Sequence, residues 1–97
     1  MTIKTFMPKG DATVTIAVTV ASASGTIDSN SSAVRIHNAG TALAFIRFST
    51  GASTAVTTDM PIASGATETF TKGTANTISA IAESGTATLY VTNGEGL

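Results

Sequence analysis

The side chains that could carry catalysis are few in this chain and widely separated along it. His37 is the only histidine and cysteine is absent, so the three or four ligands that a zinc site needs are not available. A Ser/His/Asp triad would have to recruit Asp28 or Asp59 and one of many serines, with no spacing that favours any choice. A carboxylate pair for glycoside hydrolysis, drawn from Asp28, Asp59, Glu68 and Glu83, is equally arbitrary. The sequence therefore predicts a protein that is not an enzyme and uses neither a metal nor a cofactor.

Motifs for binding phosphate, nucleic acid or membranes are not apparent either. No GxxxxGK[ST] run occurs, and the Gly-Glu-Gly at residues 94–96 has no strand and helix around it. Five Lys and Arg against six Asp and Glu give a net charge of −1, which supplies too few cations for a nucleic-acid backbone. The opening residues lack the apolar core of a signal peptide, and no run approaches the length of a membrane span. We expect neither nucleic acid nor membrane as a partner, and synthesis in the cytoplasm.

Length and composition indicate one small domain with a thin core. A chain of 97 residues buries only about 60 to 65% of the surface that it exposes when unfolded, and no cysteine can reinforce it. Charged residues make up 11% of the chain, where a typical soluble domain carries about 25%. A surface of short neutral side chains suits a protein that lies against neighbours. The composition therefore favours association with other chains as a source of stability.

The clearest strand signal is period-two alternation over residues 12–21. Val14, Ile16, Val18 and Val20 fall on one side and Thr or Ala on the other, which predicts a strand with one buried face. Residues 1–11 show no such period and are interpreted as an N-terminal arm, either a frayed end or an extension onto a neighbouring subunit. Residues 22–32 are rich in Ser, Gly and Asn and are predicted to form a loop.

Residues 34–48 resemble a β-hairpin in their pattern, with two β-branched and aromatic runs on either side of the turn-like residues 38–41. Gly40 is expected to supply a positive φ in the turn. The second run is apolar on both sides, with Phe45 and Arg47 on the face opposite Ile46. That face is covered either by another part of this chain or by another chain, since Phe and Arg are enriched at interface cores.

The rest of the chain continues in short strands. A proline at position 61 marks an edge or a corner, Phe70 is expected to be buried, and a second hairpin is predicted from residues 77–82 and 87–92, with Tyr90 facing away from Leu89 and Val91. Seven or eight short strands with frequent turns predict an all-β fold, an antiparallel β-sandwich or jelly roll. The predicted organisation is an arm over residues 1–11, a sandwich domain over 12–93 and a flexible tail over 94–97.

Two long segments resemble a family of small tailed-bacteriophage virion proteins. They are VRIHNAGTALAFIRFSTG at residues 34–51 and DMPIASGATETFTKGTANTISAIAESGTATLYVTNGEG at residues 59–96. The shared features are a hydrophobic-Arg-hydrophobic strand, an Asn-x-Gly-Thr turn, an aromatic-x-Arg-Phe strand, a Pro-Ile-x-x-Gly corner and a Thr-Leu-Tyr-Val-Thr strand before the Gly-Glu-Gly. The resemblance covers about two thirds of the chain, and residues 12–32 match less well.

The resemblance implies a head decoration (cement) protein on the outer surface of the capsid, where it bridges subunits of the major capsid protein. Self-association is also expected, with a homotrimer favoured over a dimer. The candidate residues for the oligomer or capsid interface are Arg35, His37, Phe45, Arg47 and Tyr90. Two alternatives stay open at this point. One is a structural subunit of the phage tail, fibre or baseplate, and the other is a carbohydrate-binding sandwich, against which the absence of Trp and the single Tyr argue.

Overall fold

The computed structural model describes residues 6–95, and this part of the chain is all-β. Eight strands account for its regular structure, and no helix occurs within these residues. The count agrees with the seven or eight strands predicted from the sequence. The strands are β1 (Met7–Val18), β2 (Ala23–Thr26), β3 (Ala33–Asn38), β4 (Ala44–Ser49), β5 (Met60–Ile62), β6 (Thr67–Thr71), β7 (Thr77–Ala82) and β8 (Ala87–Glu95).

The strands form two four-stranded antiparallel sheets, with the orders β1-β8-β3-β6 and β2-β7-β4-β5. The pairings are nested along the chain, because β4 pairs with β5, β3 with β6, β2 with β7 and β1 with β8. The chain therefore behaves as one long folded ribbon whose successive pairs alternate between the two sheets. Further pairings, β3 with β8 and β4 with β7, join the ribbon to itself within each sheet.

One hydrophobic core lies between the two sheets in a sandwich-like arrangement. Alternate residues of both sheets point into it, so the period-two pattern of the sequence becomes the inner face of each strand. Phe70, expected to be buried, is half-buried and packs on Phe48 with ring centroids 5.7 Å apart. The fully or almost fully buried members of the core are Ile16, Val18, Ile27, Val34, Ile36, Ala44, Ile46, Ile62, Ile78, Ala80, Ala82, Ala87, Leu89 and Val91.

Both predicted hairpins are wrong, although the strands that were to form them are present. β3 and β4 lie in different sheets, as do β7 and β8, so each connection crosses from one sheet to the other. At the first crossing the buried side chain of Asn38 donates hydrogen bonds to the carbonyls of Ala42 (3.0 Å) and Ile62 (3.1 Å). Its Oδ1 accepts from the Gly40 amide at 3.0 Å. The Asn38 side chain thereby supplies hydrogen bonds at a place where a hairpin would have paired the backbones of β3 and β4.

Gly40 is required for close packing, and the positive φ predicted for it is absent. Within residues 6–95, the residues of positive φ are four other glycines and Asp11. A Cβ at position 40 would collide with the backbone of Ala87 and Thr88, at the start of β8. Glycine is needed here because the first crossing approaches the start of β8 backbone to backbone.

The two ends of the sandwich differ from the predicted arm and tail. The strand β1 begins at Met7, and Met7 and Pro8 pair with Glu95 and Gly94 of β8. The ladder is then interrupted until Thr13, with Asp11 at φ 55° inside the irregularity. Residues 7–11 of the predicted arm and residues 94–95 of the predicted tail are therefore strand, while residues 1–5 and 96–97 lie outside the described part.

Two smaller expectations about the first third of the chain also change. β1 ends at Val18, so Val20, predicted to face inward, is 62% exposed. The segment predicted as a loop over residues 22–32 contains the short strand β2 (Ala23–Thr26). Gly25 of β2 packs closely on β1, since a Cβ on this residue would press against Val14 and Ile16. Pro61 lies as predicted on an edge strand, β5.

Candidate functional site

The outer side of the β1-β8-β3-β6 sheet carries two rows of polar side chains. The register places Arg35 of β3 between Thr92 of β8 and Thr69 of β6, and it continues to Thr13 of β1. The adjacent row runs through the neighbouring outward residues of the same four strands. We call this surface the open face, and it consists of Thr13, Thr15, Arg35, His37, Thr67, Thr69, Tyr90 and Thr92.

Arg35 is the free cation of the described chain. Lys9, Arg47 and Lys72 each donate hydrogen bonds to carboxylates, hydroxyls or backbone carbonyls of the chain itself. Within residues 6–95, Arg35 is exposed and makes neither a hydrogen bond nor an ion pair. A guanidinium has five donors in a planar fork that matches a carboxylate. The open face thus presents one uncommitted donor group whose geometry fits the oxygens of a carboxylate or a phosphate.

Arg35 separates two open concavities on this face. One, of about 380 Å³, is lined by Arg35, His37, Thr67, Tyr90 and Thr92. The other, of about 460 Å³, is lined by Phe6, Pro8, Arg35, Thr69 and Thr92. Each concavity is therefore lined by an aromatic ring, by the guanidinium and by threonine hydroxyls.

Local packing fixes the rings that border the concavities. His37 Nδ1 and Thr67 Oγ1 are 2.7 Å apart across the β3-β6 pair, so the hydroxyl orients the imidazole. Tyr90 is 43% exposed because its neighbours Leu89 and Val91 point into the core. Phe6 lies against Gly94, where a Cβ would collide with the ring and with the Met7 carbonyl. Glycine at position 94 therefore allows an aromatic ring to rest on the sheet.

The outer side of the β2-β7-β4-β5 sheet is partly covered by the chain itself. Residues 50–59, which we call the covering loop, cross this side. Ser79, which points outward from β7, is completely buried and donates to the Ser53 carbonyl at 2.9 Å. Ala55 of the loop is 1% exposed, and its amide donates to Ser22 Oγ at 2.9 Å. Part of the cover expected over the apolar strand β4 is therefore supplied by this chain.

Arg47 joins β4 to the covering loop. Its Nε and Nη2 lie 3.2 and 3.1 Å from Asp59 Oδ1, and Nη1 donates to Ser53 Oγ at 3.3 Å. The second oxygen of Asp59 accepts from the Val56 amide at 2.8 Å. The guanidinium is therefore engaged within the chain.

Phe45 stands in the part of that side that the loop leaves partly exposed. It pairs with Ile81 of β7 and Pro61 of β5, and we call these three residues the apolar row. Phe45 and Ile81 are half-buried and Pro61 is exposed. Aromatic and aliphatic side chains that remain partly exposed on a flat sheet are suited to contact with another protein.

A clasp of charges ties the beginning of β1 to the end of β8. Lys9 Nζ is 2.9 Å from Asp28 Oδ2 and 4.0 Å from Glu95 Oε1. The hydrogen bond from Lys9, helped by one from the Asn30 amide, lowers the pKa of Asp28 from 3.8 to about 2. The same bond to Asp28 raises the pKa of Lys9.

Lys72, close to this clasp, is 8% exposed and donates to the Ala75 carbonyl at 2.8 Å. Its pKa is lowered by burial. The carbonyl contact explains how an ammonium is accommodated at this depth, because each buried donor needs a partner. Its role in the structure is to close the turn after β6.

The structure divides the five interface candidates into two groups on opposite sides of the sandwich. Arg35, His37 and Tyr90 come together on the open face, while Phe45 and Arg47 lie on the other sheet. Sequence reasoning missed Thr67, Thr69 and Thr92 as neighbours of Arg35. The available signal was the inward orientation expected of Phe70 and Val91, since alternation along a strand then places these threonines on the outward side.

Within residues 6–95, no group of three or more His, Asp or Glu could hold a metal ion. No helix in the same part of the chain is long and apolar enough to cross a membrane. In comparisons with protein-family models, curated proteins and solved structures, no match to this chain was found.

Proposed function

We propose that this chain is a non-enzymatic decoration (cement) protein of a bacteriophage head. The observation that carries the proposal is the nested pairing of eight strands in the orders β1-β8-β3-β6 and β2-β7-β4-β5. We interpret this arrangement as a jelly roll, a double-sheet fold that recurs in viral capsid proteins and lectins. The resemblance of residues 34–51 and 59–96 to small tailed-phage virion proteins supports the same assignment.

The proposed mechanism is adhesion. A protein that spans the boundary between two subunits of the major capsid protein adds contact area that must be lost before the boundary opens. Only 11% of the residues of the chain are charged, and a surface rich in Thr, Ser and Ala limits the desolvation cost of such contacts. The protein would act on the outer surface of the head, and no catalytic step is part of the proposal.

Self-association, as a trimer in preference to a dimer, is assigned to the apolar row. Phe45, Ile81 and Pro61 form a partly exposed apolar surface, and Arg47 beside them is already neutralised by Asp59. The open face has the opposite character, since it is polar and bears a free cation. Because the two surfaces belong to different sheets, one flat contact cannot bury both.

The direct test is binding to heads that lack this protein. Purified heads of the phage that encodes the chain would be mixed with it, sedimented, and examined for extra density on the outer surface. We expect co-sedimentation at a fixed stoichiometry and a higher temperature of head rupture. Free protein in the supernatant at saturating head concentration, or density on the tail alone, contradicts the assignment.

The assignment of the apolar row is tested by Phe45→Asp. A carboxylate in a desolvated contact is strongly unfavourable, so we expect light scattering to show a monomer in place of the oligomer. Phe45 is half-buried on an outer side, so circular dichroism should keep its β-type spectrum. Tyr90→Asp on the open face is the matched control and should retain the oligomer. A wild-type protein that is monomeric both in solution and on the head excludes the assignment.

A further inference from the structure

We propose that the open face is a binding site for an acidic saccharide, with a uronate carboxylate held by Arg35. The two concavities on either side of Arg35 would receive adjacent sugar rings. The inference goes beyond the proposed role on the phage head and does not depend on it. It rests on the guanidinium, the two aromatic rings and the hydroxyls of this face.

The charge of the face selects the ligand class. Arg35 is the charged member of the open face, and it is the described cation that has no partner in the chain. Arginine frequently binds a carboxylate through two parallel hydrogen bonds, and a uronate supplies such a carboxylate. Thr69 and Thr92 flank Arg35 in the register, and the Thr92 hydroxyl is 2.9 Å from the Thr13 hydroxyl.

The rings select a saccharide over a chain of simple anions. Tyr90 lines one concavity and Phe6 the other, and Arg35 lines both. The C–H face of a sugar packs on such rings, which are large, rigid and apolar. Concavities of about 380 and 460 Å³ each hold a single hexose with its hydration.

The hydroxyls argue against a protein occupant. Protein contacts are apolar at the centre and polar at the rim, whereas the centre of the open face is made of threonines and Arg35. Threonine hydroxyls both donate and accept, as the hydroxyls of a sugar do. His37 adds a ring nitrogen beside them, with its Nδ1 already held by Thr67.

The test uses the full chain, isotopically labelled, in NMR titrations with three probes. The probes are trigalacturonate, a neutral galactose trisaccharide and triglutamate peptide. We expect saturable shifts confined to the amides of β3, β6 and β8 around Arg35 for trigalacturonate, and binding at least about tenfold weaker for the other two. Equal binding of the neutral sugar, equal or tighter binding of triglutamate, shifts elsewhere, or no shifts would overturn the proposal.

Two matched charge removals complete the experiment. Arg35→Gln should weaken trigalacturonate binding by about 10- to 100-fold, the value of hydrogen bonds to a charged group. Arg47→Gln removes the same charge from the other sheet and should leave binding within about twofold. Equal weakening by both variants means general electrostatic attraction and contradicts a site. Tyr90→Ala removes the ring and leaves the charge of Arg35 intact. Unchanged affinity for trigalacturonate in that variant contradicts ring packing.

Discussion

The two outer sides of the sandwich each carry an arginine, and they differ in what surrounds it. Each sheet presents an arginine on a strand that is next to an edge strand, Arg35 on β3 and Arg47 on β4. The covering loop encloses Arg47 with Asp59 and Ser53, whereas Arg35 remains exposed among threonines. The contrast shows that the contacts supplied by the following loop decide whether an arginine on a sheet is held within the fold or stays free to bind a ligand.

The largest effect is expected when a charge is placed at a buried position of the covering loop. Ala55→Asp would put a carboxylate at a position that is 1% exposed, and we expect a loss of about 3 kcal/mol or more in the free energy of unfolding. The matched change on the outward side of β1, Ala17→Asp at an exposed position, should cost about 1 kcal/mol or less. Urea denaturation measures both. Similar losses at the two sites would show that the loop does not cover its sheet.

A smaller effect is expected from removing each arginine in turn. Arg47→Ala deprives Asp59 and Ser53 of their partner, and we expect it to lower the free energy of unfolding by about 1 to 2 kcal/mol. Arg35→Ala should stay within about 0.5 kcal/mol of the wild type, since the side chain has no contact of this kind to lose. Thermal unfolding gives the ranking, and the reverse order would contradict the distinction drawn between the two sides.

The third comparison concerns acid and its effect on the half-exposed clasp. The lowered pKa of Asp28 means that its stabilisation is complete above pH 3.8 and is lost as the pH falls through about 2. Asp28→Asn should therefore flatten the fall of stability between about pH 4 and pH 2. Lys9→Gln should flatten it too, because Lys9 is the main cause of the shift. A wild-type acid profile in Lys9→Gln would refute this account.

The sequence predicted the strands better than their partners. Alternation over residues 12–21 correctly identified Val14, Ile16 and Val18 as inward-facing, because period two follows directly from the pleat. The same alternation cannot tell a hairpin from a crossing between sheets, so β3 and β4 were joined wrongly. The crossing is held by Asn38, whose side-chain amide donates to the carbonyl of Ala42 and to a carbonyl of β5, which is remote in sequence.

The candidate site was predictable in its residue types and unpredictable in its grouping. Arg35 and Arg47 each stand between apolar neighbours, so their local patterns are nearly identical. Only the tertiary placement of Asp59 separates the two roles, and this depends on how residues 50–59 fold back. The threonines beside Arg35 come from strands brought together by the nested pairing, which no local pattern encodes.

The position of β8 between β1 and β3 has a consequence for the order of events during synthesis. All strands of the β2-β7-β4-β5 sheet are translated before β8, so that sheet can assemble first on a growing nascent chain. β1 has β8 as its sheet partner and must wait until residues 87–95 have left the ribosome. Long-range pairing of this kind slows folding. The surface around Arg35, which needs Tyr90 and Thr92, therefore cannot be completed before β8 has been synthesised.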